Sequence, residues 1–173
     1  MGEIKTYTIS IFTENHVGLL NRITIIFTKR RLNIESLNTS ESEIAGIHRF
    51  TIVVKVSEET VIKLVKQIEK QIEVVRAFYH IDEDTVFQEI ALYKVHSNTI
   101  VNGIKVESLI RDNHARILAI ENDFIIIEKT GHKEETNDLL KKLEPYGIME
   151  FVRSGRVSVT KPLEHMVSFL KLN

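Results

Sequence analysis

No cysteine occurs among the 173 residues. That absence excludes a disulfide framework, a zinc–thiolate site, an iron–sulfur cluster and a cysteine nucleophile together. Tryptophan is also missing, and aromatic residues make up 7%. Neither sign of charge dominates: 23 Lys+Arg face 24 Asp+Glu, for a formal net charge of -1. A polybasic nucleic-acid binder and an acidic tail are therefore both disfavoured. No long apolar run exists; Ile125-Ile126-Ile127 is typical and far too short to span a bilayer. No apolar segment of signal-peptide type follows Met1, so the expected location is the cytoplasm. A loose myristoylation match at Met1–Thr6 and a formal sequon at Asn38-Thr39-Ser40 are both discounted.

What is present is a globular composition, with 43% hydrophobic and 27% charged residues, and an ordered change of apolar period. Lys5–Thr13 alternates with Tyr7, Ile9 and Ile11 on one face, which predicts a strand. Leu19, Leu20, Ile23, Ile26 and Phe27 recur at helical spacing, which predicts a helix over Gly18–Arg31. Leu32–Glu43 reads as a strand, Ala45-Gly46 as a turn, and Ile47–Val56 as a third strand. Ser57 is a helix cap, and Val61, Leu64, Val65, Ile68 and Ile72 form the stripe of the helix after it. Val74–Ile81 is a fourth strand, and residues 82–86, opening with the acidic Asp82-Glu83-Asp84, read as a linker.

The same order then repeats. Phe87–Val95 is strand-like, Asn98–Asn113 helical, and Ala115–Glu121 and Phe124–Lys129 are strands around an Asn122-Asp123 turn. His132–Leu143 is helical and is ended by Pro145 and Gly147, and Ile148–Thr160 is extended. Two β-α-β-β-α-β copies of about 80 residues predict an α+β protein with two ferredoxin-like domains in tandem, over 1–81 and 87–161. The remaining tail, 162–173, carries Met166, Val167, Phe169 and Leu170, which fit a short, loosely attached amphipathic helix in preference to a disordered end. Apolar residues on both faces of Tyr7–Phe12, and an open sheet edge, predict a dimer or a sheet shared between domains.

Enzyme constellations are missing. There is no G-x-S-x-G elbow, no Walker A pattern and no G-x-G-x-x-G turn. The seven histidines show no metal-ligand spacing, so neither a metal nor a catalytic residue is assigned. One segment stands apart: Glu14-Asn15-His16-Val17-Gly18-Leu19-Leu20-Asn21-Arg22, joining the first strand to the first helix. Gly18 at the helix entry permits close backbone approach, and a helix N-terminus favours an anion such as a carboxylate. Asn15 offers a donor and an acceptor, and Val17, Leu19 and Leu20 offer apolar walls. A small apolar amino acid fits this set; a plain capped loop fits it too. Lys29-Arg30-Arg31 complements the negative end of that helix. Ser154-Gly155-Arg156 reads equally as a bulge, a turn or a partner contact.

The turn Glu14-Asn15-x-x-Gly18-x-Leu20-x-Arg22 in a βαββαβ unit resembles an ACT domain. Adding Asn33-Ile34-Glu35-Ser36-Leu37, Glu89-Ile90-x-Leu92-x-Lys94-Val95 and Arg153-Ser154-Gly155, the chain from Lys5 to Lys161 resembles the small regulatory subunits of acetolactate synthase. The resemblance implies a non-catalytic subunit in branched-chain amino acid biosynthesis. Such a subunit activates a thiamine-diphosphate-dependent catalytic large subunit and confers feedback inhibition, usually by valine. It implies a homodimer with the effector between two ACT domains. Asn15 and Gly18, with the backbone of His16, Val17, Leu19 and Leu20, come from one chain, and Asn33 and Ile34 from the other. Thiamine diphosphate, Mg²⁺ and FAD are then expected in the catalytic partner and no cofactor here. Family members commonly carry glycine where this chain has Arg31, which points to unusual backbone geometry before Asn33. The alternative is a stand-alone ACT-type amino-acid sensor of another pathway. A small ferredoxin-like enzyme and a DNA-binding regulator are weaker readings, for want of a catalytic constellation and of basic charge.

Overall fold

The computed structural model describes residues 2–97 and 104–161. Nine strands are described: β1 (Ile4–Glu14), β2 (Ser36–Glu41), β3 (Ile47–Ser57), β4 (Val74–Ile81), β5 (Thr85–His96), β6 (Arg116–Ile120), β7 (Phe124–Gly131), β8 (Ile148–Arg153) and β9 (Val157–Thr160). Four α-helices accompany them: α1 (Leu19–Lys29), α2 (Glu58–Ile68), α3 (Ile104–Asp112) and α4 (Lys133–Leu143). The first part of the helix expected over Asn98–Asn113 and the whole 162–173 tail lie outside the described residues.

Two antiparallel sheets result, in the orders β2-β3-β1-β4 and β6-β7-β5-β8, with β9 paired to β5. The two orders are the same permutation, so the repeat seen in the apolar periods is a repeat of topology. Residues up to Phe87 and the segment starting at Arg156 form one compact unit, and Gln88–Gly155 forms the other. Arg156–Lys161, expected at the end of the second domain, 87–161, thus pack with the first unit. The expected 82–86 linker is a 3-10 turn over Asp82–Asp84 followed directly by β5.

Alternation decides each core. In the first unit Ile9 and Ile11 of β1 and Ile52 of β3 meet Ile23 of α1 and Leu64 and Ile68 of α2, all fully buried. Ile72, counted by periodicity in the α2 stripe, is instead fully exposed, because the helix ends at Ile68. In the second unit Tyr93, Ile125, Ile127 and Leu139 play the same parts.

The first sheet has a second buried face. Thr8 and Ser10, alternating with the core isoleucines, are buried. The Arg156 guanidinium donates to Thr8 Oγ1 at 2.8 Å and to Asp82 Oδ1 at 2.6 Å, and lies 3.5 Å from the Phe87 ring centroid. Arg49 donates to Ser10 Oγ at 3.1 Å and to the Ser158 carbonyl at 2.8 Å. Burial pushes the Arg49 guanidinium below its ordinary range. Ser154-Gly155-Arg156 is therefore an interruption between β8 and β9, which pair one after the other with β5, and the residues from Arg156 belong to the first unit.

Helix ends repeat as well. Arg31 N donates to Thr28 O and Leu32 N to Phe27 O, each at 3.0 Å. His114 N donates to Arg111 O at 3.0 Å and Ala115 N to Ile110 O at 2.9 Å. Each pair is a Schellman closure whose C′ residue sits in the left-handed region, at φ +55° for Arg31 and +52° for His114. Arg31 thus adopts the glycine-type geometry that its place in the motif demands.

Candidate functional site

The turn from β1 into α1 builds an anion-ready corner. Gly18 is the N-cap, with φ +85° and ψ -3°; no side chain caps the helix and no acidic residue stands in its first turn. Leu19 N donates to His16 O at 3.3 Å, and the first helical bond runs from Arg22 N to Gly18 O at 3.2 Å. The amides of Leu20 and Asn21 are thereby left without an intrahelical acceptor. A Cβ at Gly18 would meet nothing within 4 Å, so space above this corner is open.

The corner is held from two sides. Asn15 N donates to Gly46 O at 3.2 Å, tying it to the β2–β3 hairpin. Glu14 N donates to Glu73 O at 3.0 Å, and Arg22 pairs with the Glu73 carboxylate. That carboxyl is lowered from its ordinary range, first by its own backbone amide and then by Arg22 against the opposing desolvation. His16 Nε2 lies 3.0 Å from Glu14 Oε2.

An open cavity of about 200 Å³ lies here, lined on the turn side by Glu14, Asn15, His16, Gly18, Leu19 and Leu20. This is smaller than the roughly 300–1,000 Å³ of drug-sized sites and suits a small ligand. Its sheet side is made by Thr13, Thr39, His48 and Phe50, none of which was singled out by sequence. Thr13 follows Ile9 and Ile11 in the alternation of β1, a legible signal; His48 arrives only because it faces Thr13 in the β1–β3 register.

Five of the eight expected ligand residues, Asn15, His16, Gly18, Leu19 and Leu20, are thus brought to one cavity. Val17 is fully exposed beside it. Asn33 and Ile34 lie off this cavity on the same protomer: Asn33 is exposed and donates to Glu35 Oε1 at 3.2 Å, and Ile34 packs partly against the first core. Among the described residues no group of three or more His, Asp or Glu is placed to hold a metal, and no helix is long and apolar enough to cross a membrane.

Tandem βαββαβ units, the first with an uncapped helix end opening on a small cavity, have the architecture of ACT-domain proteins. Known proteins agree over nearly the whole length. Residues 9–76 match the AHAS small subunit-like ACT domain, and residues 88–162 match the family described as the small subunit of acetolactate synthase. The acetolactate synthase small subunit of Bacillus subtilis is 36% identical over 165 residues, covering 92% of this chain and 93% of that one. The one from Mycolicibacterium smegmatis is 34% identical over 156 residues, covering 90% and 91%. The crystal structure of the acetolactate synthase small subunit from Thermotoga maritima superposes with a TM-score of 0.83 at 27% identity, covering 91% of this chain and 98% of that one. The chain belongs to the acetolactate synthase small-subunit family: it is a regulatory small subunit with an ACT domain, the counterpart of a separate catalytic subunit.

Proposed function

We propose that this chain, as a cytoplasmic homodimer, activates a thiamine-diphosphate-dependent catalytic subunit and conveys feedback inhibition by valine bound where two ACT domains meet. The observation that carries the reading is the α1 N-terminus. It has a glycine cap in the left-handed region, no side-chain cap, no acidic residue in the first turn and open space above it. Free amides and the positive end of the helix dipole favour a carboxylate, while Leu19 and Phe50 in the same cavity offer an aliphatic side chain a dry wall.

In this reading Asn15, Gly18 and the neighbouring backbone come from one protomer and Asn33 and Ile34 from its partner. Thiamine diphosphate, Mg²⁺ and FAD reside in the catalytic subunit and none in this chain. Valine favours one packing of the dimer, and its coupling to catalysis is about 1–3 kcal/mol, or 5–150-fold. The coupling is reciprocal, so the active arrangement with the catalytic subunit weakens valine binding by the same factor.

The deciding experiment mixes purified chain and catalytic subunit and follows acetolactate formation with and without valine, leucine and isoleucine. Stimulation by the chain, reversed by at least one of the three, is expected. Binding of an amino acid without any stimulation would instead identify a stand-alone sensor.

A further inference from the structure

Two polar atoms beside the α1 corner have no partner among the described residues. Thr13 is fully buried and lines the cavity, yet its Oγ1 makes no hydrogen bond. His48 faces it across the β1–β3 ladder and lines the same cavity, and its Nε2 is buried and unbonded. Buried polar groups are almost always paired, so two adjacent orphans on one cavity call for a partner from outside the chain.

The chemistry of that partner follows from what each side of the cavity can offer. The helix end supplies donors only, and it takes the carboxylate. The positive end of an α-amino acid then requires acceptors. Thr13 Oγ1 carries two lone pairs, a neutral imidazole with its proton on Nδ1 accepts at Nε2, and the Glu14 carboxylate stands at the same cavity.

We infer that Thr13 and His48 bind the α-ammonium group of the effector and so select an amino acid over a deaminated acid with the same side chain. The inference rests on the reading that an amino acid occupies this cavity, and it adds two residues and a selectivity to it. Neither atom is water-accessible in this conformer, so engagement takes a rotamer change at both Thr13 and His48.

The test is calorimetric titration of the whole chain with valine, with 3-methyl-2-oxobutanoate and with 3-methylbutanoate. Wild type binds valine at least tenfold more tightly than either deaminated acid, the factor one charged hydrogen bond supplies. Thr13→Val and His48→Phe each lower valine affinity about tenfold or more and change binding of the deaminated acids less than twofold. Thr13→Ser, which restores the hydroxyl, restores valine binding. Melting curves confirm that each variant is folded; if Thr13→Val is not, His48→Phe and Thr13→Ser decide. Wild-type valine affinity in a folded variant, or equal losses for valine and the deaminated acids, would overturn the inference and leave the effector site standing. A wild-type chain that binds none of the three branched-chain amino acids would remove the site itself, and the inference with it.

Discussion

Gly18 and Tyr93 show how single residues carry opposite kinds of constraint. Gly18 is constrained by backbone alone, since a Cβ there would meet no atom while φ is +85°. Gly18→Ala is expected to cost about 1–2 kcal/mol of stability through the left-handed conformation. It should also lower valine affinity at least tenfold by narrowing approach to the free amides; an unchanged titration curve would place the effector elsewhere. Tyr93 is constrained by its surroundings. It is fully buried, its hydroxyl donates to Thr136 O at 2.7 Å, and burial pushes its pKa up to about 12, against a smaller opposing influence of Arg153. An unfolded tyrosine ionises near 10, so between pH 10 and 12 the unfolded state has lost a proton that the folded state keeps. Stability therefore falls as pH rises through that window, by about 1.4 kcal/mol per pH unit from this group. Denaturation midpoints measured from pH 9 to 12 should drop less steeply in Tyr93→Phe than in wild type. Parallel curves would refute the assignment.

At the scale of elements, helix ends and the returning strand are the informative features. Both α1 and α3 close through a non-glycine residue in the left-handed region, Arg31 and His114. Arg31→Gly removes that penalty at a C′ position and should raise stability by up to about 1 kcal/mol, read as a higher melting temperature. No change would mean that the Arg31 side chain contributes packing equal to the strain. Arg156, immediately before β9, is nearly buried against Asp82, Thr8 and Phe87, and is one of several attachments of this segment beside the β5 pairing and the Arg49 bond to the Ser158 carbonyl. Arg156→Met strands the Asp82 carboxylate, half exposed as it is, and the Thr8 hydroxyl. A loss of about 2–3 kcal/mol is expected, below the 3–5 of a fully buried pair. Hydrogen exchange should show the amides of Val157–Thr160 losing protection before those of β1; protection unchanged in β9 would contradict this anchoring role. None of this was legible in the apolar pattern. Ser154-Gly155-Arg156 read equally as bulge, turn or contact, because the partner of Arg156 lies 74 positions away in sequence.

The described residues of the molecule form two copies of one topology, and the cavity is built from the first: every residue lining it lies between Thr13 and Phe50, in the first unit. Leu139→Ala, in the core of the second unit, should therefore cost about 2–5 kcal/mol of that unit's stability and leave valine affinity within twofold of wild type. A parallel loss of affinity would show that the effector site depends on the second unit.

The amino-acid sequence by itself determined the repeat, the alternation of periods and the turn at Gly18. These are local: a period of two or of 3.6 and a glycine at a helix entry act within a few residues. It located β4 to the residue and overran α2 by one turn, at Ile72, because an apolar residue past a helix end still matches the period. Tertiary structure alone decided what closes the corner and what packs on the second face of the first sheet. Thr13 meets His48 through strand register, and Arg156 meets Asp82 because β9 pairs with β5, which directly follows the Asp82–Asp84 turn. Both depend on long-range pairing, which no short window of sequence contains.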